Sequence, residues 1–487
     1  MWARVVGVLL AVLLDAAGAA AATHTLRVAD AIALARLQSP EGRRIALEAR
    51  RDLQRAAASR AASAPGLTLA AVAPRLAREF SVGLQPARGD SVRSEYVETT
   101  TTSHNGSADL QASQLLPWRG RLSALASMFY RDEATAPLGL RAARRDYQVA
   151  ASLGLEMPLW GADDEHDALR RAHLSWDQAS SRARTARARL EFETVTHYLD
   201  VVRARAALDI ARATVERAAE AAAVAQRKVQ AGLLPEVEAL RTEVVRAERE
   251  AQAAGVESQL ARTDDEFKTF LGIPPQDSLQ LVEPLAPVAA PDSAAPWVAR
   301  ALSARDEPGL AARDAELLDR ERRGHRPYTP DVDLALRYGG GANQPDFDRA
   351  LSSLSANSLS LALTLRMTLS DGGRASDLDH AAIADADLRR LDAEDARRRI
   401  ELEVRDAVRQ MQDAARRYRV LTASSRLAGE LLRINSERYE RGLIDTEAHL
   451  ASQTDAAQAR LGETGALLDL LQARARLRFV ALEEHTP

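Results

Sequence analysis

The chain has 487 residues, of which 28% are charged and only 4% are aromatic, a composition that favours long charged helices over a compact sandwich. Lysine plus arginine (65) almost balances aspartate plus glutamate (69), and the net charge of −4 gives no electrostatic reason to expect nucleic acid as a partner. The sequence contains no cysteine, which excludes disulfides and a thiol-linked lipid anchor within it.

Residues 1–22 have the pattern of a secretory signal peptide. Arg4 precedes an apolar run from Val5 to Leu14, and small residues end the segment at Ala22. The apolar run is too short to cross a membrane comfortably as a helix. No later segment approaches ~18 continuous apolar residues, so any membrane insertion must use strands. The sequence therefore predicts an exported protein.

Two segments alternate between apolar and polar residues in the manner of β-strands. They are residues 147–159 and 359–369, and each exceeds the ~10 residues that a tilted strand needs to cross a bilayer. This pattern favours a membrane β-barrel over a half-buried strand of a soluble sandwich. Glu156 and Arg366 fall on the polar faces of these strands, where we expect them to line the barrel lumen near its periplasmic rim.

Long helical segments follow both strands. Residues 163–231 and 375–441 contain no proline, and at ~1.5 Å per residue each segment predicts a helix about 100 Å long. A Gly-Leu pair then turns the chain, and a second helix is predicted over residues 236–270 and 446–482. Each half of the chain is therefore expected to supply one long antiparallel helical hairpin.

Comparison of the chain with itself reveals two copies of one unit. The Gly-Leu pairs at Gly232 and Gly442 are 210 residues apart, and the same offset aligns residues 189–193 with 399–403. The repeat predicts the following organisation: a signal peptide at 1–22, a first repeat at 23–271, a Pro-rich linker at 272–296 and a second repeat at 297–487.

The first copy carries an insertion between its strands. Pro65 to Leu159 spans 94 positions whereas Pro330 to Leu369 spans 39, so the first copy has 55 extra residues. Segments on both sides of residues 117–120 look partly like strands, which leaves the number of strands open. We expect four transmembrane strands per protomer, with six as the alternative.

Residue patterns typical of catalysis or metal binding are missing from the sequence. The nine histidines include no His-Glu-x-x-His pattern, and the glycines at 339–341 are not followed by the Lys-Ser/Thr of a phosphate-binding loop. His380 and His449 lie on helical segments and are expected to be solvated or packed. The sequence therefore predicts a protein that is not an enzyme and that needs no metal or cofactor.

Two helix-end motifs connect the chain with a known family. Residues 438–443 read Arg-Tyr-Glu-Arg-Gly-Leu, residues 228–233 are a looser copy, and residues 25–32 read Thr-Leu-Arg-Val-Ala-Asp-Ala-Ile. Together with the two strand-to-helix units, these motifs resemble the TolC-like outer membrane efflux proteins. The resemblance covers nearly the whole chain after the predicted signal peptide.

The resemblance implies a homotrimer in the outer membrane of a Gram-negative bacterium. Each protomer would give four strands to a 12-stranded β-barrel, and the helical hairpins would form an α-barrel through the periplasm. A periplasmic adaptor and an inner-membrane pump would be the partners, in tripartite efflux or type I secretion of small molecules, metal ions or proteins. The alternative is a periplasmic structural coiled-coil protein that does not span the membrane.

The resemblance also assigns roles to the hairpin tips. Adaptor docking is implied for the two glycines and the apolar residues that follow them, which are Gly232, Leu233, Leu234, Gly442, Leu443 and Ile444. A gate at the closed periplasmic end is implied for Glu238, Tyr439, Asp445 and Glu447.

The implied gate departs from the family pattern at some positions. Tyr439 matches a family tyrosine that bonds to an acidic residue, here Glu238. Ile444 replaces the family's basic partner, and the acidic positions of the narrowest point are Ala448 and Ala451, so Asp445 or Glu447 would have to supply the acidic ring. On this basis, Tyr439→Phe combined with Glu238→Gln is expected to raise single-channel conductance.

Overall fold

The computed structural model describes residues 23–86, 94–137, 142–282 and 286–483. The predicted signal peptide at 1–22 lies outside these residues. The strands are β1 (Thr23–Leu26), β2 (Gly66–Pro86), β3 (Ser94–Leu115), β4 (Arg121–Pro137), β5 (Ala142–Trp160), β6 (Ser278–Leu281), β7 (Asp331–Gln344) and β8 (Ser358–Arg366). The helices are α1 (Val28–Gln38), α2 (Pro40–Ala61), α3 (Asp164–Gln230), α4 (Glu236–Leu271), α5 (Ala295–Ala304), α6 (Glu307–Gly324), α7 (Phe347–Ser352), α8 (Arg374–Glu440) and α9 (Thr446–Val480).

The chain forms two compact units, and each unit contains parts of both predicted repeats. One unit comprises Met1–Asp52, Gln178–Pro308 and Ala393–Pro487, and the other comprises Leu53–Asp177 and Gly309–Asp392. The division into compact units therefore does not follow the division into repeats. The repeat boundaries at 23–271, 272–296 and 297–487 describe the sequence and stay a prediction.

Long helices dominate the first unit. Both α3 and α8 have 67 residues, which at ~1.5 Å per residue gives about 100 Å each, as the absence of proline predicts. Buried apolar side chains hold the helices together. Tyr198 and Phe267 meet edge to face, with ring centroids 6.3 Å apart, in one core cluster, and Ile400, Val404 and Leu477 belong to another. Strand β1 pairs in parallel with β6, which lies in the predicted linker.

A six-stranded antiparallel sheet is the main feature of the second unit. Its strand order is β2-β3-β4-β5-β7-β8. The expectation of four strands is therefore wrong, and the alternative of six is what the chain forms. The 55 extra residues of the first copy account for the difference, because they extend into the paired strands β3 and β4, which turn at residues 116–120.

The sheet has one apolar and one polar face, as the alternating sequence predicts. The strand register places apolar residues of neighbouring strands opposite one another on the same face. Leu155 of β5 lies opposite Leu336 of β7, and Leu336 lies opposite Leu361 of β8. The apolar side chains of the two edge strands are uncovered: Leu69 of β2 is 71% exposed and Leu361 of β8 is 69% exposed. One edge of β2 and one edge of β8 have no neighbouring strand among the described residues.

Glu156 and Arg366 lie on the polar face but not beside one another. Glu156 is in register with Arg121 and Ala335, whereas Arg366 is opposite Asp331, four residues from Ala335 along β7. The two residues therefore share a face without forming a pair, and their placement in a lumen stays a prediction. No helix within the described ranges is both long and apolar enough to cross a membrane.

Candidate docking and gate site at the hairpin tips

The first hairpin tip is a helix C-cap built on a left-handed glycine. Gly232 has φ +70°, and its backbone N–H donates to Val229 O at 2.9 Å. The N–H of Leu233 donates to Lys228 O at 2.8 Å. These two bonds satisfy carbonyls that the end of α3 would otherwise leave free, and they form a Schellman cap.

The second tip repeats this geometry 210 residues later. Gly442 has φ +73° and donates to Tyr439 O at 3.0 Å, while Leu443 donates to Arg438 O at 2.9 Å. The two motifs found in the sequence therefore fold into the same cap. This cap needs a left-handed backbone at its glycine, which a residue with a Cβ would adopt only under strain.

Apolar side chains protrude from both tips in matching positions. Leu233 is 76% exposed and Leu443 is 68% exposed, whereas the next residues, Leu234 and Ile444, are half-buried. Two equivalent exposed leucines, each held by a rigid cap, give a surface that an incoming apolar side chain can cover.

The return helices begin in different ways. Pro235 is the N-cap residue of α4, whereas the Asp445 carboxylate accepts a hydrogen bond from the backbone N–H of Ala448 at 2.8 Å and so caps α9. Asp445 is therefore a helix cap in this conformation. Glu447, in the first turn of α9, has an exposed side chain.

Tyr439 is buried between two basic side chains rather than bonded to a carboxylate. Its ring lies parallel to the His449 imidazole, with centroids 4.5 Å apart and planes 5° apart, and Lys228 Nζ is 4.0 Å from the ring centroid. Lys228 also donates to the Tyr439 carbonyl oxygen. The Tyr439 hydroxyl is buried without a hydrogen-bond partner among the described residues. The predicted bond from Tyr439 to Glu238 is thus not made in this conformation.

Glu238 instead takes part in a charged contact that links the two hairpins. Arg241 Nη1 lies 3.7 Å from a Glu238 carboxylate oxygen and 3.6 Å from a Glu447 carboxylate oxygen. Arg241 therefore supplies a cation between α4 and α9 although Ile444 carries no charge. Glu238 and Glu447, which the sequence predicts as gate residues, come together through this arginine. The sequence analysis missed Arg241, although its position three residues after Glu238 indicates that the two side chains share a helix face.

Burial makes a second cation at the tip unfavourable. Desolvation, followed by the charge of Lys228, lowers the pKa of His449 from its ordinary value. Desolvation likewise lowers the pKa of Lys228, against a smaller opposing effect of Glu440. His449 is only 5% exposed, so the expectation of a packed histidine is confirmed, and His380 is exposed. Within the described residues, no cluster of His, Asp and Glu could hold a metal ion.

Comparison with known proteins matches this architecture to one family. Residues 325–481, which include β7, β8, α8 and α9, match the outer membrane efflux protein family. This part of the chain is similar to an outer membrane efflux protein domain. The curated relative FusA of Burkholderia cepacia, the fusaric acid resistance protein, is 28% identical over 207 residues, which are 41% of this chain and 38% of FusA. The matched region thus spans well under half of that relative.

The fold of nearly the whole chain is similar to that of several solved structures. CusC superposes with a TM-score of 0.64 at 13% identity, covering 96% of this chain and 95% of CusC. VceC of Vibrio cholerae gives a TM-score of 0.63 at 14% identity, covering 93% and 95%, and MtrE of Neisseria gonorrhoeae gives 0.63 at 16%, covering 94% and 88%. The chain therefore has the TolC-like fold of outer membrane channels, as the sequence motifs predict.

Proposed function

We propose that this chain is the outer-membrane channel subunit of a tripartite efflux pump or a type I secretion system. Three copies would form one duct across the outer membrane and periplasm of a Gram-negative bacterium, with the helices in the periplasm. The observation that carries the proposal is a sheet with one continuous apolar face and two free edges, joined to long helical hairpins with equivalent tips.

The free edges give a physical reason for assembly. Unpaired backbone groups are costly in lipid, so a sheet placed there must close on itself or on other copies. Six antiparallel strands leave β2 and β8 running in opposite directions, which allows β8 of one copy to pair antiparallel with β2 of the next. A trimer of this chain would contribute 18 strands, three times six, instead of the 12 expected from the sequence.

The tips suit docking of a periplasmic adaptor that connects the duct to an inner-membrane pump. Leu233 and Leu443 are exposed although neither is needed to cover the core, and each belongs to a cap formed by two backbone hydrogen bonds, one from the leucine and one from the preceding glycine. The half-buried Leu234 and Ile444 extend the apolar surface. The duct carries out no chemical reaction. Because the relative FusA is named for fusaric acid resistance, we infer export of small molecules and take fusaric acid as the first cargo to test.

Replacement of both tip leucines by aspartate tests this proposal in cells. In a host lacking the native gene, Leu233→Asp with Leu443→Asp is expected to abolish complementation of fusaric acid export and to weaken adaptor binding at least ~10-fold, because buried apolar anchors dominate such interfaces. Conductance of the purified variant in planar bilayers should match the wild type, since both side chains are exposed.

Leu37→Asp is the matched control, because Leu37 is equally exposed (76%) but lies on α1, away from the tips. Full export by the double variant would contradict docking at the tips. A wild-type protein without conductance would contradict the channel itself.

A further inference from the structure

A large cavity lies in the first unit, away from the hairpin tips. It has a volume of about 890 Å³, within the ~300–1,000 Å³ typical of small-molecule sites. Its lining comes from α1, the start of α2, the middle of α3, the end of α9, the linker near Val288 and the end of α5 with the following residues to Asp306. All of these segments belong to one compact unit, so the cavity is a feature of that unit alone.

An aromatic pair forms part of the cavity wall. Phe192 of α3 and Phe479 of α9 are stacked, with ring centroids 5.6 Å apart and planes 19° apart. Aliphatic side chains such as Ile32, Val195 and Leu471 line the same space. A flat, apolar body would bury its surface well against this wall.

Charges on the lining do not balance. Five arginines line the cavity against three carboxylates, Glu191, Asp306 and Glu483. Each carboxylate already has a basic partner. Glu191 pairs with Arg36, Asp306 pairs with Arg184, and Glu483 lies 2.7 Å from Arg300, which is outside the cavity.

Two of the five arginines have no carboxylate partner in an ion pair among the described residues. Arg187, which is exposed at the edge of the cavity, and Arg474 form no ion pair with any residue that the structure describes. Arg474 is half-buried, and desolvation together with the neighbouring charge of Arg478 lowers its pKa against a smaller opposing effect of Glu483. A partly buried guanidinium beside another cation is unfavourable unless an anion compensates it.

The two unpaired arginines stand on opposite sides of the aromatic pair. Helices α3 and α9 are antiparallel, since Phe192 contacts Phe479 and Arg203 bonds to Asp469 at 2.6 Å. Arg187 precedes Phe192 by five residues and Arg474 precedes Phe479 by five. At ~1.5 Å per residue, the Cα atom of each arginine therefore lies about 7.5 Å along the helix axis from the Cα atom of the phenylalanine on the same helix, and the two arginines lie on opposite sides of the stacked rings in this direction.

We propose that this cavity is a binding site for an elongated aromatic anion. The aromatic body packs on Phe192 and Phe479, and carboxylate or sulfonate groups at its ends bond to Arg187 and Arg474. Guanidinium groups suit such planar or tetrahedral oxyanions because they offer several N–H donors in a fixed arrangement. The site does not depend on the proposed export function, because it lies outside both the tips and the sheet.

The dianionic fluorophore bis-anilinonaphthalene sulfonate is a suitable probe. The full-length mature protein is reconstituted in nanodiscs of zwitterionic lipid, and fluorescence is titrated with the probe against empty nanodiscs. Arg187→Met and Arg474→Met are each expected to weaken binding about 10-fold, because each removes a charge-assisted hydrogen bond. Arg476→Met is the matched control, since Arg476 lies on the same helix but is exposed and does not line the cavity.

Thermal unfolding gives a second readout that separates binding from misfolding. The probe should raise the Tm of the wild type and of Arg476→Met but not of the Arg187→Met, Arg474→Met double variant. Without probe, Arg474→Met should unfold at the same or a higher temperature than the wild type, because it removes a partly desolvated cation that lies beside Arg478. Equal probe affinity in all variants, or no binding above empty nanodiscs, would overturn the proposal.

Discussion

Replacement of Tyr439 by alanine is expected to open the proposed gate at the hairpin tips and raise single-channel conductance, whereas replacement by phenylalanine is not. The ring is 3% exposed and fills the space between Lys228 and His449. Its removal should cost about 3–5 kcal/mol of local stability, in the range of buried aromatic-to-alanine changes. Phenylalanine keeps the ring and loses only a hydroxyl that has no partner, which costs nothing and removes an unsatisfied group.

Conductance in planar bilayers and thermal unfolding measure both effects. Tyr439→Phe serves as the matched control for Tyr439→Ala. The combined Tyr439→Phe, Glu238→Gln variant should then change conductance only slightly, since Arg241 keeps Glu447 as a partner and exposed ion pairs contribute ~0–1 kcal/mol. A large rise with phenylalanine alone would show that the hydroxyl makes a bond in the closed trimer and would restore the latch predicted from the sequence.

Acidification should favour the open tip through His449. Its pKa in the packed tip lies below the ordinary value of 6.5, first because of burial and then because of Lys228. Above pH ~6.5 the imidazole is neutral in the packed and the released state, so the packing is fully stable. As pH falls below that value, the released state takes up protons first, and the packed state loses stability.

The groups around His449 set this response. Lys228 comes from α3, Tyr439 and Glu440 from α8, and Gln453, whose amide nitrogen lies 3.0 Å from His449 Nε2, from α9. Conductance is expected to rise between pH 7.5 and 5.5 in the wild type. The rise should disappear in His449→Phe, which keeps the stacked ring but cannot be protonated. A pH response of equal size in that variant would assign the titration to another group.

Periodicity in the sequence was sufficient to predict the main elements. The long helices follow from extended proline-free segments, and the tips follow from glycine at the position where the backbone becomes left-handed. Strands β5 and β8 follow from strict alternation. Strand β3 was harder to recognise, because residues 99–103 are small polar residues without the apolar alternation that identifies β5 and β8.

Side-chain partners at the tips could not be predicted in the same way. Tyr439 lies at a hairpin tip, and its role in a gate stays a prediction, but its neighbours Lys228 and His449 lie 211 positions before it and ten after it. The family pattern predicted Glu238 as the partner of Tyr439 because each position of the pattern was compared with this sequence separately. Which contact forms depends on the local packing of α3, α8 and α9, and Arg241 adds a cation that a single-position comparison with Ile444 does not reveal.

Native mass measurement of detergent-extracted protein tests the channel account most directly. The outer-membrane fraction is separated by density, extracted with a mild detergent and analysed by native mass spectrometry. Three copies of the mature chain in one particle, obtained only after detergent extraction, are the predicted result, because the free edges of β2 and β8 and the apolar face need partners and lipid. A monomer released into the soluble periplasmic fraction without detergent would contradict the account and favour the periplasmic coiled-coil alternative.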